Sequence, residues 1–155
     1  MILVTLGTQD QKMYRILDML EHSNIKDKIV VQAGGSSDYK SDKMEIFKFV
    51  SMDEMDKLLD EADIVITHGG SGSILSAIKK GKKVLAIPRL SKYHEHINDH
   101  QTEIVSEYVK EGYILDIKED DNIDDRIKDI KKFKSKKFVS NKKHFIEEIK
   151  KLIDG

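Results

Sequence analysis

Ala62-Asp63-Ile64-Val65-Ile66-Thr67-His68-Gly69-Gly70-Ser71-Gly72-Ser73 is the stretch whose reading decides the fold. The run Ile64 to Thr67 has the β-branched composition of a buried strand, and it passes through a turn of three glycines and two serines directly into a helix. That helix is expected from Ser73 to Lys80, stopped by Gly81. A strand that enters a helix through such a turn is a building unit of parallel α/β sheets. The turn's backbone N–H groups and the positive end of the helix dipole also suit an anion such as a diphosphate. The same glycines are equally what a tight strand-to-helix turn needs with no ligand at all.

Outward from this segment the same alternation repeats. Ile2 to Leu6 reads as a first strand, and Gly7-Thr8-Gln9-Asp10 as a turn before a helix carrying Met13, Ile16, Leu17 and Leu20 at helical spacing. Lys28 to Gln32 is a second strand and Glu45 to Val50 a third. Ser51, with Glu54 three residues on, caps a helix whose apolar stripe is Met52, Met55, Leu58 and Leu59. After the strand at Ile64 to Thr67 comes Val84 to Ile87, closed by the chain's single proline, Pro88. A helix from about Asn98 to Lys110, a short strand from Tyr113 to Ile117 and two C-terminal helices complete the chain. The pattern predicts an α/β fold, a Rossmann-like parallel sheet with helices on both faces, as one domain over residues 1–155.

Composition excludes several classes. Lys and Arg number 27 against 28 Asp and Glu, so no basic excess argues for nucleic acid, and none is expected as a partner. No cysteine is present, which removes disulfides and thiolate chemistry and fits a cytoplasmic setting. The N-terminus lacks the flank and length of a signal peptide, and no run approaches the ~20 apolar residues of a membrane span. The charge is local at the C-terminal end, where Lys131, Lys132, Lys134, Lys136, Lys137, Lys142 and Lys143 lie among Phe133, Phe138, Phe145, Ile146 and Ile149. That end reads either as a solvated face or as a basic amphipathic surface for anionic lipid or a partner. The stripe Phe145, Ile149 and Leu152 reads either as a docking surface or as packing onto the chain's own sheet.

In open α/β sheets ligands bind at the carboxyl ends of the strands, near the reversal of strand order, which places Gly7-Thr8-Gln9 and His68 to Ser73 across a common crevice. A P-loop is excluded because no Gly-Lys-Ser/Thr occurs in the turn. The dinucleotide fingerprint fails because the third glycine would fall on Leu75. A second constellation, His94-Glu95-His96-Ile97-Asn98-Asp99-His100-Gln101, first suggests metal, but its H-x-H-x-x-D-H spacing rotates the later groups away from a shared center. No metal site is expected. Asp99 reads better as a helix N-cap, with His100 and Gln101 in the first turn and their polar side chains in the crevice. Gln101, both donor and acceptor, suits sugar hydroxyls.

At these residues the chain resembles a known family. The segment from Ala62 to Ser73, then Gly81-Lys82-Lys83-Val84-Leu85-Ala86-Ile87-Pro88-Arg89, then Asp99-His100-Gln101, are similar to the C-terminal domain of family 28 glycosyltransferases. The resemblance runs from Leu3-Val4-Thr5-Leu6-Gly7-Thr8 to Glu111-Gly112-Tyr113 and is strongest to short stand-alone members. These include the soluble catalytic subunit of the dolichol-pathway UDP-GlcNAc transferase and bacterial capsule or exopolysaccharide transferase subunits. It implies the donor-binding half of a GT-B enzyme that is inverting and metal-independent and needs no cofactor beyond its UDP-sugar donor. It also implies a lipid-linked acceptor and a membrane-anchored acceptor-binding subunit, with this chain peripheral to the membrane through that partner. Carried over by position, the diphosphate would lie against Gly69, Gly70, Ser71, Gly72 and Ser73, with Gly7, Thr8 and Gln9 opposite. Asp99 and Gln101 would face the donor sugar, with His100 among the donor-binding residues. The family's ribose-binding glutamate is replaced by Ser76 here.

Transfer requires stabilisation of the leaving UDP and removal of a proton from the acceptor hydroxyl. The glycine turn meets the first need. Arg89 is either a cationic supplement to it or a surface arginine. His68 is either a proton carrier or a histidine that bonds within the protein; a base supplied by the partner is preferred, with His94, His96 and His100 as second choices. The C-terminal helices, about 122–153, are candidates for partner docking. The alternative function is a non-enzymatic nucleotide-sugar-binding or regulatory subunit, favoured by Ser76 and the absence of an acceptor domain.

Overall fold

The computed structural model describes residues 1–139 and 143–154, so Lys142 of the lysine-rich end lies outside the described residues. Among the described residues the strands are β1 (Ile2–Thr5), β2 (Ile29–Gln32), β3 (Met44–Phe47), β4 (Ile64–His68), β5 (Lys83–Ile87) and β6 (Leu115–Asp116). They form one sheet in the order β3-β2-β1-β4-β5-β6, with every neighbouring pair parallel. This is the doubly wound order, with its reversal between β1 and β4. All residues of β1, β2 and β4 are buried, which is why these strands read as continuous apolar runs and not as alternating ones.

The helices are α1 (Tyr14–Glu21), α2 (Met52–Glu61), α3 (Ser71–Lys79), α4 (His100–Lys110), α5 (Ile123–Lys132) and α6 (Lys143–Asp154). Two cores result. Ile2 and Val4 of β1 pack with Ile16, Leu17 and Leu20 of α1 and Ile123, Ile127 and Ile130 of α5 on one face of the sheet. Leu3 packs with Leu59 of α2, Ile74 and Ala77 of α3, Ile104 and Tyr108 of α4, and Phe145 and Ile149 of α6 on the other. The side-chain period of two along β1 sends its residues to the two cores alternately. No helix among the described residues is long and apolar enough to cross a membrane.

The elements anticipated from sequence are present, with differences at their ends. Ser51 caps α2, its Oγ accepting the Glu54 N–H at 3.1 Å, but Met52 is 90% exposed. Helical spacing puts Met52 on the apolar stripe, yet no element reaches it. β3 stops at Phe47, its last partner of Gln32, so Phe49 and Val50 belong to the following loop. α3 begins at Ser71, two residues earlier than expected, which draws Gly72 into the helix's first turn. At the C-terminus Phe145 and Ile149 are buried within the chain's own core: the Phe145 ring lies edge-on to Tyr108 and Tyr113, with centroids 5.0 and 5.3 Å away. The lysines from Lys131 to Lys137 are exposed, while Phe133 among them and Phe138 just after them pack inward.

Candidate functional site

The crevice at the carboxyl ends of β1 and β4 is built around the His68 ring. Nε2 of this ring would lie 2.8 Å from a Cβ at Gly7 and 2.9 Å from one at Gly70, so both turns must be glycine for the ring to sit between them. Gly7 also has φ +80, a conformation that L side chains rarely adopt. Gly69 is required for a different contact, since a Cβ there would meet Gln101 Cβ at 2.6 Å. Gly72 is unlike the others. A Cβ added to it meets nothing within 4 Å, so the space before the first turn of α3 is open.

The N-terminus of α3 carries no side-chain cap on its N-cap residue Gly70. The early N–H groups of α3 have no helical partner, because intrahelical bonding begins with Ile74 N–H donating to the Gly70 carbonyl at 3.1 Å. Two polar groups flank them. Ser73 Oγ is 3.3 Å from His68 Nε2, and Ser71 Oγ is 3.0 Å from the Tyr108 hydroxyl. Beside this end of the helix lies a cavity of about 150 Å³ lined by Thr5, Gln32, Met55, Leu59, Gly72, Ser73 and Ser76. Thr5 Oγ1 is buried and has no hydrogen-bond partner among the described residues, and Ser76 donates its hydroxyl to the Gly72 carbonyl at 2.9 Å. Ser76 therefore borders the cavity with a short side chain turned to its own helix.

Gln101 and Arg89 hold the crevice's walls from behind. Gln101 Oε1 accepts the Gly69 N–H at 2.9 Å and the Arg89 N–H at 3.0 Å, tying the turn after β4 to the turn after β5. Its amide nitrogen lies 3.2 Å from His68 Nδ1. Gln101 is 5% exposed, so its amide is spent on the protein interior. Arg89 is fully buried, and its guanidinium donates to the carbonyls of Gln11 at 2.8 Å, Glu95 at 2.9 Å and Leu6 at 2.7 Å. The reading of Arg89 as a surface arginine is corrected by this burial: the loops after β1 and β5 wrap it because it satisfies carbonyls that neither loop pairs internally.

Charged groups are also paired behind the crevice. Glu95 is buried and pairs with Arg15, whose Nη2 donates to Oε1 at 2.7 Å and whose Nε donates to Oε2 at 3.1 Å. The Glu95 carboxylate thus binds Arg15 directly and lies near enough to Arg89 to favour its charge. Burial pushes the His68 imidazole down to about 4, and the Arg89 charge and His96 act in the same direction, so the ring is neutral at pH 7.

The remaining sequence candidates are placed more loosely. Thr8 is exposed, and Gln9 supports the neighbouring turn through its carbonyl, which accepts the Gly35 N–H at 3.0 Å. Asp99 occupies the N-cap position of α4 without capping it. Its Oδ1 accepts the Ser91 N–H at 2.8 Å, and the nearby polar contact at the helix start is made by Asn98, whose Oδ1 accepts the His100 N–H at 3.0 Å. Asp99 is exposed, so its side chain closes the loop after β5 instead of turning into the crevice. His94 adopts a left-handed backbone at φ 58, and His96 accepts the Asn98 N–H on Nδ1 at 3.3 Å. Among the described residues no three His, Asp or Glu side chains form a metal-holding group.

Sequence reasoning missed Gln32, Arg15 and Glu95. Gln32 Nε2 donates to the Gly7 carbonyl at 2.8 Å and to the Lys48 carbonyl at 2.9 Å, while its Oε1 accepts the Gly7 N–H at 3.2 Å. A lone amide ending the apolar run Ile29-Val30-Val31 was the available signal, since a polar side chain at a buried strand end needs backbone partners.

The model of the glycosyltransferase family 28 C-terminal domain matches residues 1–154. Among curated proteins, the chain is 31% identical over 74 residues to the UDP-N-acetylglucosamine transferase subunit ALG13 of Cryptococcus neoformans, a stretch covering 46% of this chain and 34% of that protein. It is 29% identical over 72 residues to the subunit of the same name from Mus musculus, covering 46% of this chain and 6% of that protein. The matches thus span about a third of the fungal relative and a small part of the mouse one. Among solved structures, the glycotransferase of kitacinnamycin superposes with a TM-score of 0.62 at 19% identity, covering 97% of this chain and 37% of that one. The solution structure of ALG13 superposes with a TM-score of 0.57 at 17% identity, covering 96% and 94%. The fold is that of the C-terminal halves of GT-B glycosyltransferases.

Proposed function

From the premise that this chain belongs to the glycosyltransferase family 28 C-terminal domain family, we propose that it is the donor-binding catalytic subunit of an inverting, metal-independent transferase. It takes a UDP-sugar and, together with a membrane-associated acceptor-binding subunit, delivers the sugar to a lipid-linked acceptor. The observation that carries this reading is the open, uncapped N-terminus of α3 before Gly72, backed by the buried Arg89. Unpaired N–H groups, the helix dipole and the buried Arg89 cation behind them all favour a diphosphate, and they favour it more as charge develops on the departing UDP. Thr8 and Gln9 would border the diphosphate from the β1 side. The nucleoside would extend from the diphosphate toward the cavity beside Ser76, with the uncharged Ser76 hydroxyl where a glutamate would grip the ribose.

His68, its basicity lowered to about 4 by burial and its Nδ1 facing the Gln101 amide, is poorly suited to take a proton from an acceptor hydroxyl. We therefore place the base on the partner subunit. Isothermal titration tests the binding reading directly: UDP should bind in the presence of a metal chelator, and Gly72→Asp, which adds a carboxylate where the open space would receive phosphate, should abolish the heat. Absence of binding at millimolar UDP by the native chain would reject it.

A further inference from the structure

Gln101 has an amide whose orientation the fold leaves no freedom to reverse. Its oxygen accepts two backbone N–H groups, from Gly69 and Arg89, both buried. Turning the amide over would set its NH2 against two donors and leave both N–H groups unsatisfied. The NH2 is thereby committed to His68 Nδ1, 3.2 Å away. A nitrogen that receives a hydrogen bond from an amide cannot itself carry a proton, so the ring's proton resides on Nε2. That atom sits between Gly7 and Gly70, 3.3 Å from Ser73 Oγ, at the unpaired end of α3.

We propose that Gln101 is a positioning residue that holds His68 in its neutral Nε2–H form, making the ring a hydrogen-bond donor to the anion at the start of α3. This rests on the diphosphate reading of that site. A neutral donor fits the surroundings. Arg89 and His96 both oppose a charge on the ring, and Gln101 could favour the imidazolium only by presenting its oxygen to Nδ1, at the expense of both turns. The chain thus adds a donor to the cradle without burying a second cation beside Arg89. The glycines at 7, 69 and 70 are explained together: two admit the ring and one admits the amide that orients it.

Histidine ¹⁵N NMR of the full chain without ligand at pH 7 tests the lock. His68 should show a protonated Nε2 and an unprotonated Nδ1; the reverse pattern, or protons on both, overturns the proposal. In Gln101→Glu, one carboxylate oxygen can still accept from Gly69 and Arg89 while the other faces the ring, so Nδ1 should become protonated. An Nδ1 that stays bare in a folded Gln101→Glu chain would overturn the role of Gln101. Adding UDP to the native chain should shift the His68 Nε2–H resonance, and His68→Phe should weaken UDP binding about tenfold or more. If UDP saturates the site with that resonance unmoved, the donor role fails while the binding reading stands. If UDP does not bind at all, the proposed function and the donor role fall together, and the tautomer measurement still judges the lock.

Discussion

A methyl group added at Gly7, Gly69 or Gly70 would collide with His68 or Gln101, whereas at Gly72 it would meet open space. This difference separates glycines that serve the protein from one available to serve a ligand. Gly72→Ala should leave the fold intact and raise stability by a few tenths to about 1 kcal/mol, since alanine suits a helix better than glycine. It should also weaken UDP binding. Thermal unfolding and titration on the same sample would show the two moving in opposite directions. His68 supports a second prediction. In the unfolded chain a histidine takes up its proton near pH 6.5, but in the fold this ring does so only near 4. Between those values the unfolded chain holds more protons, so falling pH costs stability, about 3 kcal/mol once the whole window is crossed. Above 6.5 both states are neutral and the slope vanishes. Urea unfolding at pH 7 and pH 4.5 should show a larger acid loss in the native chain than in His68→Gln.

Among the elements, the loops after β1 and β5 depend on a buried cation. Arg89 supplies three carbonyl bonds that span from Leu6 and Gln11 to Glu95. Arg89→Lys keeps the charge but loses the planar fork, and should cost about 2–4 kcal/mol in chemical denaturation while lowering UDP affinity, because the walls of the crevice lose their tie. The last helix is a case where spacing alone allowed two outcomes. Phe145, Ile149 and Leu152 form one stripe, and Phe145 is held between Tyr108 and Tyr113 with 4% of its surface exposed. Phe145→Ala should therefore cost about 3–5 kcal/mol of the isolated chain's own stability, measured by urea unfolding with no partner present.

At the scale of the whole molecule, one parallel sheet brings the loops after β1, β4 and β5 together at its carboxyl edge, where Arg89 and Gln101 join them. Under the proposed function, transfer is expected only when the chain is combined with an acceptor-binding partner, and UDP binding is expected from the chain alone. Radiolabelled-sugar transfer assayed with and without the co-expressed partner separates an enzyme subunit from a nucleotide-sugar sensor, which would bind UDP in both and transfer in neither.

The strand runs, the glycine turn and the helix stops were legible in the sequence, because backbone propensity, apolar period and the special freedom of glycine act over a few residues and leave local marks. From Ile64 to Ser73 the order of residues alone determined a buried strand, a turn and a helix start, and with them the parallel α/β class. What the turn's residues do to one another was decided by tertiary structure. Arg89 became a buried brace and Gln101 the orienter of His68, with Gln32 fastened to Gly7 and Asp99 turned to Ser91. Each of these roles joins groups from different loops, and which buried donor meets which acceptor is set only when the sheet brings the loops together.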